Sequence, residues 1–258
     1  MDLKLAGSKV LVTGASKGIG LAVATAFAAE GCNVVLVART QGTLAAAQQQ
    51  IRQRHNVGVD VLALDIAQRG SAERLVEAFP DIDILVNNAG AIPGGDVEAI
   101  DEQRWREAWE LKVFGYVNIC RQYFARMKAR RSGVIANVIG LAATRMMFDY
   151  IAGTMGNAGL VAFTKALGSK SVDANVRVFG VNPPMTATDR MVTLARTRAQ
   201  DQFGDAERWR ETLKGLPFDR PATPEEIADA VVFLASPRAS YVSGIVLDID
   251  GGSASRNG

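Results

Sequence analysis

The N-terminal part of the chain carries glycines spaced to hold a phosphate group. An apolar run at residues 10–12 leads into Thr13-Gly14-Ala15-Ser16-Lys17-Gly18-Ile19-Gly20, and an alanine-rich amphipathic segment follows. In this context Gly14 allows a tight turn, Gly18 lets the backbone approach a pyrophosphate, and Gly20 lets the following helix lie close to the strand. The helix N-terminus then offers unpaired N–H groups and a partial positive charge to an anion. The pattern predicts a dinucleotide phosphate site; the alternative is a glycine-rich turn without a ligand.

The elements that must position this turn alternate between short apolar runs and amphipathic segments. Strands are predicted at residues 8–13, 33–38, 59–64, 82–86, 134–138, 176–181 and 245–249. Helices are predicted at residues 18–30, 41–55, 71–79, 101–130, 150–172 and 224–235. Because the strands are almost entirely apolar and alternate with helices, we expect an α/β fold with a parallel sheet covered on both faces. We expect one domain over residues 1–258, with the charged segment 185–220 as an excursion that covers the substrate.

Residues that directly follow the strands are expected to contact the ligand, because ligands bind at the carboxyl ends of the strands in such a sheet. No acidic residue follows the second strand to meet a ribose hydroxyl; Arg39, helped by Lys17, can instead pair with a 2′-phosphate. This favours NADP over NAD, and the alternative is that both are surface cations. After the third strand, Asp65, next to Ile66, is placed to accept from an adenine amine or to cap a helix. After the fourth strand, Asn88-Ala89-Gly90 brings small residues close to a ribose.

Composition excludes several classes of function. The net charge is +2 and the basic residues are scattered, which gives no electrostatic case for nucleic acid or a membrane surface. No apolar run is long enough for a membrane span and the first residues are not typical of a signal peptide, so we expect a soluble cytoplasmic protein. The only histidine, His55, lies in a polar segment, which argues against a Ser-His-Asp hydrolase and a multi-histidine metal site. Cys32 and Cys120 lie in apolar segments and are expected to be buried thiols that bind no metal.

Several motifs together resemble those of the short-chain dehydrogenases/reductases, and the resemblance covers nearly the whole chain. They are the glycine turn, Asn87-Asn88-Ala89-Gly90, Thr164-Lys165-Ala166-Leu167, Val181-Asn182-Pro183, Pro224-Glu225-Glu226-Ile227-Ala228, Ser243-Gly244 and Asp250-Gly251-Gly252. The resemblance implies a Rossmann-type, doubly wound sheet of seven parallel strands, an NAD(P) cofactor, and assembly as a homotetramer or homodimer. A basic residue in the glycine turn together with Arg39 matches that family's NADP pattern. Pro183 and Thr188 match residues beside the nicotinamide, whereas Pro184 replaces a usual glycine and removes an N–H.

The chemistry of that family depends on an Asn, a Ser and a Tyr-x-x-x-Lys pair. In that family the Tyr is the general acid/base and the Lys, one helical turn further on, lowers its pKa. Alignment on the flanking motifs places the four positions at Lys112, Gly140, Gly153 and Asn157, so all four are substituted. The resemblance therefore supports cofactor binding better than the usual mechanism, because losing a positioned acid/base costs about 10²–10⁴-fold in rate.

Tyr150 and Lys112 are the candidate replacements. Tyr150 lies three residues before Gly153, which on a helix is about 4.5 Å along the axis and on roughly the same face. Gly153 leaves space, so the Tyr150 hydroxyl can reach the vacated position, and Lys112 can supply a positive charge from the neighbouring helix. The alternative is that Tyr150 is a loop or interface aromatic and that Lys112 pairs with a carboxylate such as Glu110 or Asp149.

The predicted helix 150–172 also contains glycine at three-residue spacing, at Gly153, Gly156 and Gly159. Glycine inside a helix costs about 0.5–1 kcal/mol relative to alanine. Either close packing across a subunit interface or a widened active-site cleft would account for the spacing.

Three functions stay open at this point. The first is an NADP(H)-dependent oxidoreductase that acts on a carbonyl or alcohol with a non-standard catalytic site, in a largely apolar pocket lined by Met146, Met147, Phe148 and the excursion. The second is a catalytically impaired dinucleotide-binding pseudoenzyme that serves as a sensor or partner subunit. The third is a non-redox lyase or isomerase on the same fold. Each of them implies a small-molecule ligand and none requires a metal.

Overall fold

A parallel sheet dominates the fold, and its strands are short and almost wholly buried. The computed structural model describes residues 1–255, so the last three residues of the predicted domain 1–258 lie outside the described residues. The strands of the described part are β1 (Lys9–Thr13), β2 (Asn33–Ala38), β3 (Val59–Ala63), β4 (Ile84–Asn87), β5 (Gly133–Val138), β6 (Val176–Asn182) and β7 (Val246–Asp248). They form one seven-stranded parallel sheet in the order β3-β2-β1-β4-β5-β6-β7. The predicted fold class is confirmed.

Helices cover both faces of the sheet. They are α1 (Gly18–Ala29), α2 (Gln41–Arg52), α3 (Ser71–Ala78), α4 (Glu102–Trp109), α5 (Gly115–Arg130), α6 (Ile151–Ser171), α7 (Asp189–Phe203) and α8 (Pro224–Ala235). Along β1, Val10 and Val12 pack into the layer that holds α1 and α8, whereas Leu11 packs into the layer that holds α3 and α5. Because both faces are buried, the central positions of the strands are mostly apolar instead of alternating with polar ones. The strand order reverses between β1 and β4, and a crevice for ligands opens at such a point.

The predicted helix 101–130 contains one wide turn. α4 and α5 are joined by a π-helical turn at Glu110–Phe114, in which the Gly115 N–H donates to the Glu110 carbonyl five residues earlier. The backbone stays helical on both sides of it. This turn places Lys112 toward the sheet, where its side chain is buried. π turns of this kind are frequent at functional sites.

The segment 185–220 consists of α7 and two stretches of 3₁₀ helix, Ala206–Leu213 and Pro217–Asp219. α7 packs against the first of these stretches. At the start of α7 the Thr188 hydroxyl accepts a hydrogen bond from the Met191 N–H, which caps the helix. The segment lies over the carboxyl edge of the sheet, and residues from both of its halves line the cleft described below.

The C-terminal end of α8 is held by Arg177, which lies on β6. The Arg177 guanidinium donates hydrogen bonds to the carbonyls of Leu234, Ala235 and Ser236 at 2.7, 2.7 and 3.0 Å, and to that of Val242 at 3.2 Å. Carbonyls at a helix end lack partners within the helix, and a cation there also meets the negative end of the helix dipole. Arg177 thus attaches the end of α8 to β6.

The two cysteines are buried and free, as predicted. Burial raises the pKa of each thiol, Cys32 and Cys120, to about 12, so both stay protonated. His55 follows the end of α2 and is half-buried. Within residues 1–255, no helix is long and apolar enough to cross a membrane.

Candidate functional site

A cleft of about 2040 Å³ runs along the carboxyl edge of the sheet beneath α7. Its wall includes most of the residues that the sequence predicts to bind a dinucleotide. These are Gly14, Ser16, Lys17, Gly18, Ile19, Arg39, Ile66, Asn88, Ala89, Gly90, Pro183 and Thr188. Gly20 and Asp65 stand outside this wall. The structure therefore brings residues from five separate loops together, those after β1, β2, β3, β4 and β6, as the strand positions predict.

The glycine turn is packed against the end of β4. Gly14 has φ +66°, and a Cβ on it would lie 2.9 Å from the Ala89 Cα. A Cβ on Gly20 would lie 2.5 Å from the Asn88 Nδ2 and closer still to the Gly14 carbonyl oxygen. Asn88 Nδ2 also donates to the Thr13 carbonyl at 3.0 Å, and the Thr13 hydroxyl accepts from the Asn88 N–H at 2.9 Å. The turn has no room for side chains at these positions and is rigidly tied to the neighbouring strand.

The start of α1 fits an anionic group. The residue before α1, Lys17, makes no side-chain capping hydrogen bond, so the first N–H groups of the helix have no side-chain acceptor. Gly18 has φ +57°, and a Cβ on it would lie 3.2 Å from the Thr188 Cγ2. A larger residue at this position would therefore crowd the space in front of the helix N-terminus. A phosphate at this place meets both the free N–H groups and the positive end of the helix dipole.

The two predicted phosphate-binding cations lie at the outer part of the cleft. Arg39 is exposed. Lys17 Nζ lies 3.6 Å from the Asp189 carboxylate at the start of α7, and both side chains are mostly exposed. Asp65 accepts a hydrogen bond from the Ala67 N–H at 3.1 Å, which closes a turn. The expectation that Asp65 caps a helix is wrong, because α3 starts at Ser71 and its cap is Gly70.

At the inner end of the cleft, two neighbouring side chains cover the two glycines at the positions predicted from the resemblance to be catalytic. The ring of Tyr150 lies over Gly153, where a Cβ would overlap the ring atoms Cε1 and Cζ. The amide of Asn157 lies over Gly140, where a Cβ would be 2.9 Å from Nδ2. The room that side chains at 140 and 153 would need is therefore already taken by Asn157 and Tyr150.

Asn157 leaves an unsatisfied polar atom beside the cleft. The residue is only 3% exposed, and its Oδ1 has no hydrogen-bond partner among the described residues. A buried acceptor without a donor costs about 1–3 kcal/mol. Because Asn157 lines the cleft, a hydroxyl donor of a bound molecule can relieve this cost, which fits the ribose of a dinucleotide.

Lys112 is a buried amine held by backbone carbonyls. Its Nζ donates to the Ile139 carbonyl at 2.7 Å and to the Val138 carbonyl at 3.2 Å. Burial, and to a smaller extent the charge of Arg190, lower the pKa of Lys112 to about 7. Among the described residues no carboxylate forms an ion pair with it. The expected pairing with Asp149 is absent, since Asp149 accepts from Arg198 at 3.0 Å.

Tyr150 is held by the loop that follows β4. The Gly95 N–H donates to the Asp149 carbonyl at 2.8 Å, and the Gly95 carbonyl accepts from the Ile151 N–H at 3.3 Å. Burial raises the pKa of the Tyr150 hydroxyl, whereas the charge of Arg190 and a hydrogen bond from it act in the opposite direction. Arg190 is therefore the cation that acts on the pKa of Tyr150, and the predicted pairing of Tyr150 with Lys112 stays a prediction.

Arg190 is the site residue that sequence reasoning missed. It lies in the first turn of α7, lines the cleft and donates from Nη2 to the Ile92 carbonyl. Its only signal in the sequence is its place two residues after Thr188, in the segment that follows the predicted strand 176–181. Its position near Tyr150 depends on how the segment 185–220 folds back over the cleft, which no local pattern shows.

Part of the cleft wall is apolar, whereas the excursion also contributes charged residues such as Arg190, Arg198 and Asp201, so the largely apolar pocket stays a prediction. Met146, Met147 and Phe148 line the apolar part, and Met146 and Phe148 are 68% and 72% exposed. Pro183 accepts a hydrogen bond from the Leu141 N–H at 2.9 Å through its carbonyl, which ties the loop after β6 to the loop after β5.

Sheet order, glycine turn and cleft together define a dinucleotide-binding α/β protein, and comparison with known proteins agrees. A family model described as enoyl-(acyl carrier protein) reductase matches residues 14–254. The chain belongs to the short-chain dehydrogenase/reductase family.

Relatives match over almost the full length of the chain. The 3-oxoacyl-[acyl-carrier-protein] reductase of Chlamydia muridarum is 31% identical over 98% of this chain and 100% of its own. The galactitol 2-dehydrogenase (L-tagatose-forming) of Cereibacter sphaeroides is 34% identical over 96% of both chains. The structure of L-sorbose reductase from Gluconobacter frateurii, in complex with NADPH and L-sorbose, has a TM-score of 0.89 and 32% identity, with 100% of both chains covered.

Proposed function

We propose that this protein is an NADP(H)-dependent oxidoreductase that interconverts a carbonyl compound and an alcohol at a non-standard catalytic site. The observation that supports this most is the position of Tyr150, whose ring takes the room above Gly153. By resemblance, position 153 belongs to the family's catalytic tyrosine. A phenol from one helical turn earlier therefore gives the cleft an acid/base group without the usual Tyr-x-x-x-Lys pair.

The cofactor is held by the residues on the glycine-turn side of the cleft. Lys17 and Arg39 bind the 2′-phosphate, the start of α1 binds the pyrophosphate, and Asn157 accepts from a ribose hydroxyl. Asp65 is assigned to the adenine, and Pro183 and Thr188 to the nicotinamide. The NADPH complex of L-sorbose reductase supports this choice of cofactor. When bound, the cofactor supplies a hydride to the substrate carbon, or takes one from it, so that the protein must move one proton at the substrate oxygen.

Tyr150 is the group that donates or accepts this proton. In the direction of reduction its hydroxyl protonates the carbonyl oxygen, and the guanidinium of Arg190 stabilises the phenolate that is left. Lys112 returns a proton to the site. With a pKa of about 7, it holds a proton in a substantial fraction of molecules at neutral pH and releases it readily.

The second candidate is a pseudoenzyme that binds the dinucleotide but does not turn it over. It is favoured by Gly140 and Gly153, which supply neither a proton nor a side-chain hydrogen bond at two catalytic positions. For either function we expect a single domain with residues 185–220 as its cover, a small and largely apolar ligand, and a homodimer or homotetramer in the cytoplasm.

The experiment that tests the proposal has two stages. Titration with NADPH, followed by fluorescence, is expected to show binding for both candidates. Consumption of NADPH with a panel of ketones, aldehydes and quinones is expected only of an oxidoreductase. On a working substrate, Tyr150→Phe is expected to lower kcat by about 10²–10⁴-fold, whereas Tyr241→Phe, at a fully exposed tyrosine, is a matched control. Unchanged turnover in Tyr150→Phe would remove Tyr150 from the mechanism.

A further inference from the structure

Two cations meet at the inner end of the cleft without a carboxylate to neutralise them. Arg190 and Lys112 both line the cleft, and neither takes part in any ion pair among residues 1–255. They are close enough for the charge of Arg190 to lower the pKa of Lys112. The other cations of α7 are compensated: Arg196 pairs with Glu207 at 3.2 Å and Arg198 with Asp149 at 3.0 Å.

Arg190 keeps free hydrogen-bonding capacity in this position. A guanidinium carries five N–H donors in a planar fork. One of its N–H groups donates to the Ile92 carbonyl, and the Tyr150 hydroxyl lies close enough for the charge of Arg190 to act on its pKa. The remaining donors belong to a half-buried side chain in the wall of the cleft. A partly desolvated positive charge with free donors is best compensated by a carboxylate, which a guanidinium can bind through two parallel hydrogen bonds.

The reacting oxygen must lie close to this charge. Tyr150 and Arg190 both line the cleft and are close enough for the charge of Arg190 to act on the pKa of the Tyr150 hydroxyl, so a carbonyl that takes its proton from Tyr150 lies near the guanidinium. An anionic group that binds Arg190 is then best placed one or two bonds from the carbonyl carbon of the same substrate. The apolar wall formed by Met146, Met147 and Phe148 is then left for the rest of the molecule.

We propose that the substrate is a short 2- or 3-oxo acid, or the matching hydroxy acid, whose carboxylate is bound by Arg190 beside Tyr150 and whose apolar tail faces Met146, Met147 and Phe148. This inference rests on the proposed oxidoreductase function and names its substrate class. In the direction of reduction, the oxo acid, NADPH and one proton give the hydroxy acid and NADP⁺. The hydride goes to the carbonyl carbon and the proton goes to the carbonyl oxygen.

The test uses matched ligands whose binding is measured without turnover. The full-length protein saturated with NADP⁺ is titrated by calorimetry with 4-methyl-2-oxopentanoate and with its methyl ester, which lacks the charge. We expect the acid to bind about 10–100-fold more tightly than the ester, the value of a hydrogen bond to a charged group. Equal affinity for the two ligands in the unmodified protein would overturn the inference.

Variants of α7 assign the preference to a residue. Arg190→Met is expected to abolish the preference for the acid, Arg190→Lys to retain part of it, and Arg196→Met, on the same helix, to leave it unchanged. The inference would also be overturned if Arg190→Met still bound the acid more tightly than the ester. It would be overturned as well if this variant lost affinity for NADP⁺ and kept its preference between the two ligands. Failure of the proposed function gives a different result. If the protein prefers the carboxylate but consumes NADPH with no carbonyl compound, it binds oxo acids and is not an oxidoreductase.

Discussion

The ring of Tyr150 occupies the space in which a side chain at Gly153 would have to stand. These two residues are three positions apart, one at the N-terminal boundary of α6 and the other in its first turn. Because the ring overlaps the position of a Cβ, any larger residue at 153 must displace the tyrosine. The absence of a side chain at 153 is thus a condition for the observed position of the phenol.

Gly153→Ala is therefore expected to lower activity with little effect on folding. The added methyl group pushes the Tyr150 ring out of its place, and we expect a fall in kcat of at least about tenfold, because acid/base catalysis depends on position. Gly159→Ala on the same helix is the control, since a Cβ there meets no atom within 4 Å. This control is expected to keep full activity and to gain about 0.5–1 kcal/mol in unfolding free energy. Equal activities of the two variants would contradict the assigned role of Tyr150.

Cofactor preference is expected to depend on Lys17 and Arg39. Arg39→Ala and Lys17→Ala should each weaken NADPH binding by about tenfold, because each removes a charge-assisted hydrogen bond to the 2′-phosphate. The dissociation constant for NADH, which lacks this phosphate, serves as the internal control and should not change. Asp189→Asn should strengthen NADPH binding about threefold, since it frees Lys17 from its exposed ion pair. Tighter binding of NADH than of NADPH by the unmodified protein would show that the assignment of these two cations is wrong.

Lys112 is expected to make stability depend on pH. Its pKa falls from the ordinary 10.5 to about 7 on folding, so between these values the unfolded chain binds more protons than the folded one. Stability should therefore rise with pH across this window, by at most about 1.4 kcal/mol per pH unit, and stay flat below it. Arg190 and the ring of Tyr116, 5.4 Å from Nζ, are the charged and aromatic groups that face it.

Urea unfolding of Lys112→Met across this pH range provides the measurement. The variant should be more stable than the unmodified protein below pH 7, and the difference should shrink toward pH 10.5. Lys128→Met, at an exposed position of α5, is the control and should show a constant difference. A constant difference for Lys112→Met as well would mean that the amine keeps its proton on folding.

Arg177→Met is expected to destabilise the fold strongly. Four carbonyls around the end of α8 lose their donor, and partly buried acceptors left without partners cost about 2–4 kcal/mol in total. Chemical denaturation followed by circular dichroism measures this. Arg106→Met, which removes an exposed ion pair with Glu102, should leave the midpoint unchanged. An equally small effect of Arg177→Met would show that solvent replaces its hydrogen bonds.

The sheet could be predicted from the sequence because its strands are mostly apolar runs that alternate with helices. This pattern is typical of a parallel sheet with helices on both faces. The glycine turn and the loops after the strands could be predicted for a related reason, since parallel strands end at a common edge. The packing of the glycines in α6 could not be predicted. Gly156 lies against Trp109 and Val113 of the same chain, whereas the sequence suggested a subunit interface or a wide cleft. Arg190 could not be found either, because tertiary folding of the segment after β6 brings it to Tyr150.

The π turn between α4 and α5 has a consequence for how this site tolerates changes in chain length. A π turn accommodates one residue more than an α-helix does over the same rise, so α4 and α5 keep the orientation that they would have without that residue. Deleting one residue within Glu110–Phe114 would therefore leave the apolar face of α5 against the sheet and that of α4 against Ile92, Ile100 and Ala152. Lys112 would lose its reach to the carbonyls of Val138 and Ile139. The extra residue of the π turn thus places the Lys112 amine in the site, and α4 and α5 do not depend on it for their packing.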